Sequence, residues 1–245
     1  MQVVEALAEA PEPLSLAHLA TQLAIPKTSL LNHLRVLVGA HYVALQEGRY
    51  VLGSAALRLG TIIAAESRDL ARLAPVARQL AADSGETALL AMLDAAALDA
   101  VYLGVYEGAQ PVRYSPAVGA RRPLYCTAIG RALLASQPAA FIKGYFASTE
   151  LARFNKRTVT DAARLRALLA KVQAAGLAAT VAEHTEGVGA LASPVGDRDG
   201  RVRYAIGVAV PATRIEPDRA RLEKLVRNAA RAAAWTLGAK RESAG

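Results

Sequence analysis

Cysteine is almost absent from this chain of 245 residues: Cys126 stands alone. That excludes an intramolecular disulfide framework and a multi-cysteine metal site. Long apolar runs are missing too. The best candidate, residues 87–106, is interrupted by Asp94 and Asp99, so no segment supplies the roughly 18–20 apolar residues a membrane span needs. The opening Met1-Gln-Val-Val-Glu5 has no basic stretch and is followed by Glu9, unlike a secretory signal peptide. No internal repeat, low-complexity linker, G-x-S-x-G, Walker loop or cysteine cluster occurs. These absences lead us to expect a soluble cytoplasmic protein with no cofactor, no metal and no membrane partner.

Apolar residues make up 53% and charged residues 20% of the chain, enough to exclude a disordered protein. The length suits two domains of unequal size. Net charge is +8, which permits nucleic acid as a partner. Residues 1–60 do not carry the excess. There Lys27, Arg35, Arg49 and Arg58 balance Glu5, Glu9, Glu12 and Glu47, and the surplus lies later, notably from Arg201 to Arg241. A solvated basic surface accounts for that surplus equally well.

The first 60 residues read as short helices with tight punctuation. Val3, Val4, Leu7 and Ala8 recur at helical spacing, and Pro11 and Pro13 end that helix. Ser15 can cap a second helix that presents Leu16, Leu19, Ala20 and Leu23. Pro26 suits the start of a third, in which Leu30, Leu34 and Leu37 form a buried stripe at i, i+4 and i+7. Residues 42–45 and 50–52 flank the turn Gln46-Glu-Gly-Arg49 and read as a hairpin. The order predicts a winged helix-turn-helix.

Beyond residue 54 the pattern is helical, and Pro75 is expected to break it into a linker helix and a following helix. Strands are predicted at 87–93, 100–106, near 112–114, 177–182, 188–195 and 202–210. Helices are predicted at 127–136, after Pro138, over 161–175 and from about Pro217 to Leu237. This is an α+β pattern with a mostly antiparallel sheet.

The third helix carries the clearest chemistry. Lys27, Thr28, Ser29, Leu31, Asn32 and Arg35 lie off its apolar stripe. The first three sit where helix N–H groups favour a phosphate. Asn32 and Arg35 can bond adenine and guanine edges in pairs, and Leu31 can touch a thymine methyl. Arg49 in the wing can reach phosphate or the minor groove. The bland alternative is ordinary polar surface on a small helical domain.

Other motifs are weaker. Residues 187–192 fit G-x-G-x-x-A, but β-type sequence follows where a dinucleotide site needs a helix. His184 sits between Glu183 and Glu186 with no second histidine nearby, which suits a turn better than a metal. Cys126 has no partners for a nucleophile and reads as a small buried apolar residue.

Several segments in order now resemble one family. They are "LSLAHLATQLAIPKTSLLNHLRVLVGAHYV", "YVLGSAALRLG", "SGETALLAMLD", "PLYCTAIGRALLAS" and "GLAATVAEHTEGVGALASPVGDRDG". The chain resembles an IclR-type bacterial transcriptional regulator over essentially its whole length. The resemblance implies a winged helix-turn-helix DNA-binding domain (1–53), a linker helix (54–67) and a GAF-like α/β effector-binding domain (68–245). It implies homodimers or tetramers, a pseudo-palindromic operator on double-stranded DNA, and control of catabolic genes by a small organic acid.

The departures are informative. Asn32 and His41 stand where the family often has Arg and Gly, and Tyr125 and Arg131 replace its usual His and Lys. Members that bind short 2-oxo acids carry Asp, Cys and two Ser where this chain aligns Thr180, Ala190, Gly207 and Ala209. A roomier, less polar pocket for an aromatic or bulky carboxylate is therefore expected. The candidate effector residues are Gly119, Ala120, Leu124, Tyr125, Thr180, Ala190, Ser193, Gly207 and Ala209, with Arg121, Arg122 or Arg203 pairing the carboxylate. The alternatives are a small hydrolase or isomerase on the C-terminal domain, or a sensory module that no longer binds DNA.

Overall fold

The computed structural model describes residues 2–66 and 68–239. The chain forms two compact units, Met1–Ala71 and Arg72–Gly245.

The first unit holds α1 (Gln2–Glu9), α2 (Leu16–Gln22), α3 (Lys27–Gly39), β1 (Val43–Gln46), β2 (Arg49–Leu52) and α4 (Ser54–Glu66). The Ser15 hydroxyl accepts from the His18 N–H at 3.2 Å and starts α2. Glu47 and Gly48 both have positive φ, 49° and 78°. That is the backbone of a two-residue turn whose twist matches antiparallel strands, and Gln46 pairs with Arg49 across it. Leu14 adds a bridge to Tyr50 beside the hairpin. Val3, Leu7, Leu19, Leu30, Leu34, Val43 and Tyr50 form one core. Leu37, expected in the buried stripe, packs against this core half-buried.

α5 (Arg68–Ser84) carries Pro75 in its interior. The expected break at Pro75 is therefore corrected: the helix runs through it. Losing one N–H donor costs part of a turn, and burial of Leu73, Ala77, Leu80 and Ala81 holds the rest of the helix. Residue 67, between α4 and α5, lies outside the described residues.

The second unit is built on β3 (Thr87–Asp94), β4 (Asp99–Tyr106), β5 (Arg121–Pro123), β6 (Ala178–Val181), β7 (Val188–Gly196) and β8 (Val202–Pro211). They form one sheet in the order β5-β4-β3-β8-β7-β6, with every neighbouring pair antiparallel. The strand expected near 112–114 does not form. Pro111 and Pro116 bracket a loop there, and the edge strand is β5, paired with Asp99–Val101.

Strand alternation sorts the two faces. Leu89, Ala91, Ala192, Ala205 and Ala209 belong to the core shared with α6 (Ala128–Ala135) and α8 (Ala162–Ala175). α7 (Ala139–Ser148) adds Tyr145 to that core. The opposite face meets α9 (Ala212–Ile215) and α10 (Arg219–Thr236). All eight residues of α6 are buried, because small alanines on the sheet let the helix approach closely. Asp161 caps α8 through the Arg164 N–H at 2.7 Å. Gly176 closes it in the left-handed region at φ 63°.

Candidate functional site

The first candidate surface is the outer face of α3. Leu30 and Leu34 fix the helix by burial. Lys27, Thr28, Ser29, Asn32 and Arg35 are thereby left exposed, and Leu31 is half-buried. Pro26 occupies the N-cap and makes no side-chain cap bond, so first-turn N–H groups stay open to an anion. The helix contains no acidic residue. Val36, absent from the expected set, is 71% exposed on the same face as Asn32, one turn on. Its exposure at a position off the Leu30–Leu34 stripe was the available signal. In the wing, Arg49 Nη1 donates to the Pro13 carbonyl at 3.3 Å. That bond ties the hairpin to the loop before α2 and leaves other guanidinium donors free.

The second candidate is a slit on the α6 side of the sheet. It is a narrow hollow of about 420 Å³, counted to its open mouth. Leu89, Ile129, Val188, Ala190 and Ala209 supply apolar walls; Tyr102 and Tyr114 supply rings; Arg122, Thr127, Thr180, Glu183, His184 and Thr185 supply polar groups. Ala128 and Ile129 bring the N-terminal turn of α6 to the wall. There Thr127 Oγ1 accepts from the Gly130 N–H and donates to the Pro123 carbonyl, both at 3.0 Å. The helix end adds partial positive charge.

Arg122 is the cation of the slit. Its Nη2 donates to the Tyr114 hydroxyl at 3.3 Å and its Nη1 to the Arg121 carbonyl at 2.7 Å. Its guanidinium carbon lies 5.7 Å from the Tyr102 ring centre. Its Nε is buried with no hydrogen-bond partner among the described residues. Glu183, the carboxylate at this wall, is already neutralised. Arg131, 2% exposed, gives Nη1 to Oε1 at 2.7 Å and Nη2 to Oε2 at 2.5 Å, and its Nε donates to the Tyr125 carbonyl at 2.7 Å.

Burial pushes the Cys126 thiol up to about 12, so it stays protonated and is a poor nucleophile. Burial, and then Arg122, holds His184 below its ordinary value. The His184 ring lies 4.6 Å from that of Phe154, and Nδ1 is 3.0 Å from Thr185 Oγ1.

Thr180, Ala190 and Ala209, expected in the effector site, meet at this slit together with Arg122. The other expected residues stand elsewhere. Leu124 and Tyr125 are buried in the α6 core, the Tyr125 hydroxyl donating to the Ala152 carbonyl. Gly119 donates its N–H to the Tyr102 carbonyl at 2.7 Å, and the Ala120 carbonyl accepts from the Tyr102 N–H at 3.1 Å. They hold the loop to β4 outside the slit wall. Ser193 pairs with Ile206 on the opposite sheet face from Ala190. At Gly207 a Cβ would lie 2.2 Å from the Leu191 carbonyl oxygen and 2.8 Å from the Ala192 Cβ. The glycine therefore answers strand packing and adds no room to the slit. Arg121 is bound to Asp94 at 2.7 Å and Asp99 at 3.3 Å. Arg203, near the start of the interior strand β8, is exposed and lies over the Tyr204 ring.

Comparison with known proteins decides the family. Residues 63–235 match the family described as "Bacterial transcriptional regulator IclR C-terminal", and residues 1–47 match the "IclR helix-turn-helix domain". The chain belongs to the IclR family. It is 32% identical over 229 residues to the HTH-type transcriptional repressor AllR of Klebsiella pneumoniae, covering 92% of this chain and 84% of that protein. It is 34% identical over 242 residues to the glycerol operon regulatory protein of Streptomyces griseus, covering 96% and 93%. The crystal structure of the IclR regulator from Alicyclobacillus acidocaldarius superimposes with a TM-score of 0.83 at 26% identity, covering 96% of each chain. As an IclR regulator the protein is a ligand-responsive DNA-binding transcription factor, not an enzyme. Among the described residues no helix is long and apolar enough to cross a membrane, and no three His, Cys, Asp or Glu side chains gather as a metal site.

Proposed function

We propose that this IclR regulator binds an aromatic or otherwise bulky carboxylate in the slit, and that the bound acid controls how a homodimer holds operator DNA. The observation that carries the reading is Arg122. Arg122 lines the slit and its Nε is buried without a partner among the described residues, while the neighbouring Glu183 is neutralised by Arg131. A carboxylate supplies the missing acceptor and takes a charge-assisted bond. The narrow space between Tyr102, Tyr114, Leu89 and Val188 suits a flat apolar body. Ala190 and Ala209 add no polar side-chain group of their own to the slit, beside Thr180.

On the DNA side, Lys27, Thr28 and Ser29 hold phosphate, Asn32 and Arg35 read base edges, Leu31 and Val36 touch methyl groups, and Arg49 reaches the backbone from the wing. α4 supports the dimer. Leu59, Ile62 and Ile63 lie at i, i+3 and i+4 and are 40%, 46% and 60% exposed, an apolar stripe that a second copy would cover. Two-fold pairing gives a pseudo-palindromic operator with half-sites about one helical turn or a multiple apart. The acid acts by binding one dimer arrangement more tightly than another. The work is done in the cytoplasm on catabolic genes.

Thermal unfolding against a panel of acids tests the effector. At about 100 times Kd, binding adds roughly 2.7 kcal/mol, which raises the midpoint by roughly 5–10 °C for a chain of this size. Benzoate-like acids are expected to give that shift. A shift with glyoxylate or pyruvate alone would overturn the bulky-acid reading.

A further inference from the structure

β6 is the last strand of its sheet, and its free edge looks into a second, open basin of about 1,210 Å³. Ala182 donates its N–H to the Val188 carbonyl at 2.7 Å, which fixes the parity of the β6–β7 ladder. Thr180 and Ala178, in step with Ala182, turn their backbone groups toward β7. Ala179 and Val181 therefore turn theirs outward, and both line the basin. No hydrogen bond to these outward groups occurs among the described residues. Across the basin runs the segment 158–161.

The basin is strongly basic. Arg153, Lys156, Arg157, Arg164 and Arg219 all line it. Arg153 bonds neutral acceptors, the Thr158 carbonyl at 3.3 Å and Thr160 Oγ1 at 3.1 Å, so its charge is not cancelled. The side chains of Lys156, Arg157 and Arg164 make no ion pair among the described residues. The carboxylates of the basin are committed elsewhere: Asp161 caps α8, and Glu183 holds Arg131. Arg219 alone of the five is paired, with Glu216 and Glu223.

We infer that the free edge of β6 docks an extended, acidic polypeptide segment, which adds as a strand while Lys156, Arg157 and Arg164 hold its carboxylates. Strand addition uses the outward N–H and C=O groups for affinity, and flanking side chains select the partner. The charge also decides against a second copy of this chain. Another β6 edge would bring the same cations face to face, and like charges across such a contact are repulsive.

The test uses the full-length protein and a fluorescent octapeptide alternating Glu and Val. Anisotropy is expected to show binding that weakens with salt. The triple change Lys156→Glu, Arg157→Glu, Arg164→Glu should weaken it by at least about tenfold. The change Lys171→Glu, on the exposed side of α8 outside the basin, should leave it intact. Ala179→Pro removes an outward donor that no ladder bond needs and should also weaken it, as should N-methylation of alternate peptide residues. Three results would each overturn the inference: no binding, equal binding of the N-methylated peptide, or binding indifferent to the triple charge reversal. Full displacement by tripolyphosphate would reassign the basin to simple anions. Full displacement by duplex DNA lacking an operator would reassign it to nucleic acid. Circular dichroism of each variant separates lost binding from lost fold.

Discussion

Arg131 and Glu183 meet end to end through two parallel hydrogen bonds, at 2.7 and 2.5 Å, where α6 faces the turn after β6. The guanidinium is fully enclosed, and its third donor holds the Tyr125 carbonyl at the α6 N-terminus. Breaking a buried pair from one side leaves an uncompensated charge. Arg131→Met or Glu183→Gln should therefore destabilise the protein by about 3–5 kcal/mol in denaturant unfolding. Arg131→Met combined with Glu183→Met should recover part of that loss. If each single change is neutral, the pair does not hold this wall.

Arg122→Gln should abolish the thermal shift given by benzoate-like acids. The ligand-free midpoint should fall only by what its bonds to Tyr114 and the Arg121 carbonyl contribute, about 1 kcal/mol each. Retained stabilisation by the acid would show that the carboxylate lies elsewhere.

Gly207 and Ala209 should behave differently when altered. Gly207→Ser forces a Cβ against the Leu191 carbonyl and should cost at least about 1–3 kcal/mol, as overpacking does. Ala209→Ser places a hydroxyl in the slit and should shift preference toward short 2-oxo acids with little loss of stability. Midpoints and ligand titrations of the two variants read both effects.

On DNA, Asn32→Ala or Arg35→Ala should relax preference at one base position by about 1–3 kcal/mol. Lys27→Ala should weaken all sequences alike and lower the salt slope by about one. Selection from randomised duplexes reads the first, and binding against salt reads the second. Unchanged selectivity in both base-reading variants would remove α3 from the recognition role.

Acidification should act through His184. The folded state favours its neutral form, with a value below 6.5 caused by burial first and Arg122 second. The unfolded chain takes the proton more readily, so this contribution is present above the unfolded value and is lost as pH falls through the folded one. The wild-type midpoint should fall more than that of His184→Gln between about pH 7 and about pH 5.

Local signals were legible in the sequence wherever chemistry and backbone coincide. Ser15, Asp161 and Gly176 cap their helices as expected, and Glu47-Gly48 makes the wing turn. His41 shows how a departure is read through geometry. It adopts φ 61° between α3 and β1, where the family's glycine would be unstrained, so its effect there is on the backbone. The effector site was less legible because its walls come from separate strands and a helix end. Ser193 could have been excluded by counting: three positions from Ala190 on one strand, it must face the other way. Arg122 could not be ranked above Arg121, since the asymmetry between them lies in Asp94 and Asp99, which a β-turn brings beside Arg121.

Thr180 and Glu183 face both the inner slit and the outer basin, so the partition between the two hollows is a single strand thick. Such a partition has no interior in which a displacement can be absorbed. An acid that spreads the slit must move the same strand that borders the basin, and an occupant outside must brace it. If the two occupants influence each other, they do so by one factor in both directions. The outer rim would then serve as a gauge of what the inside holds.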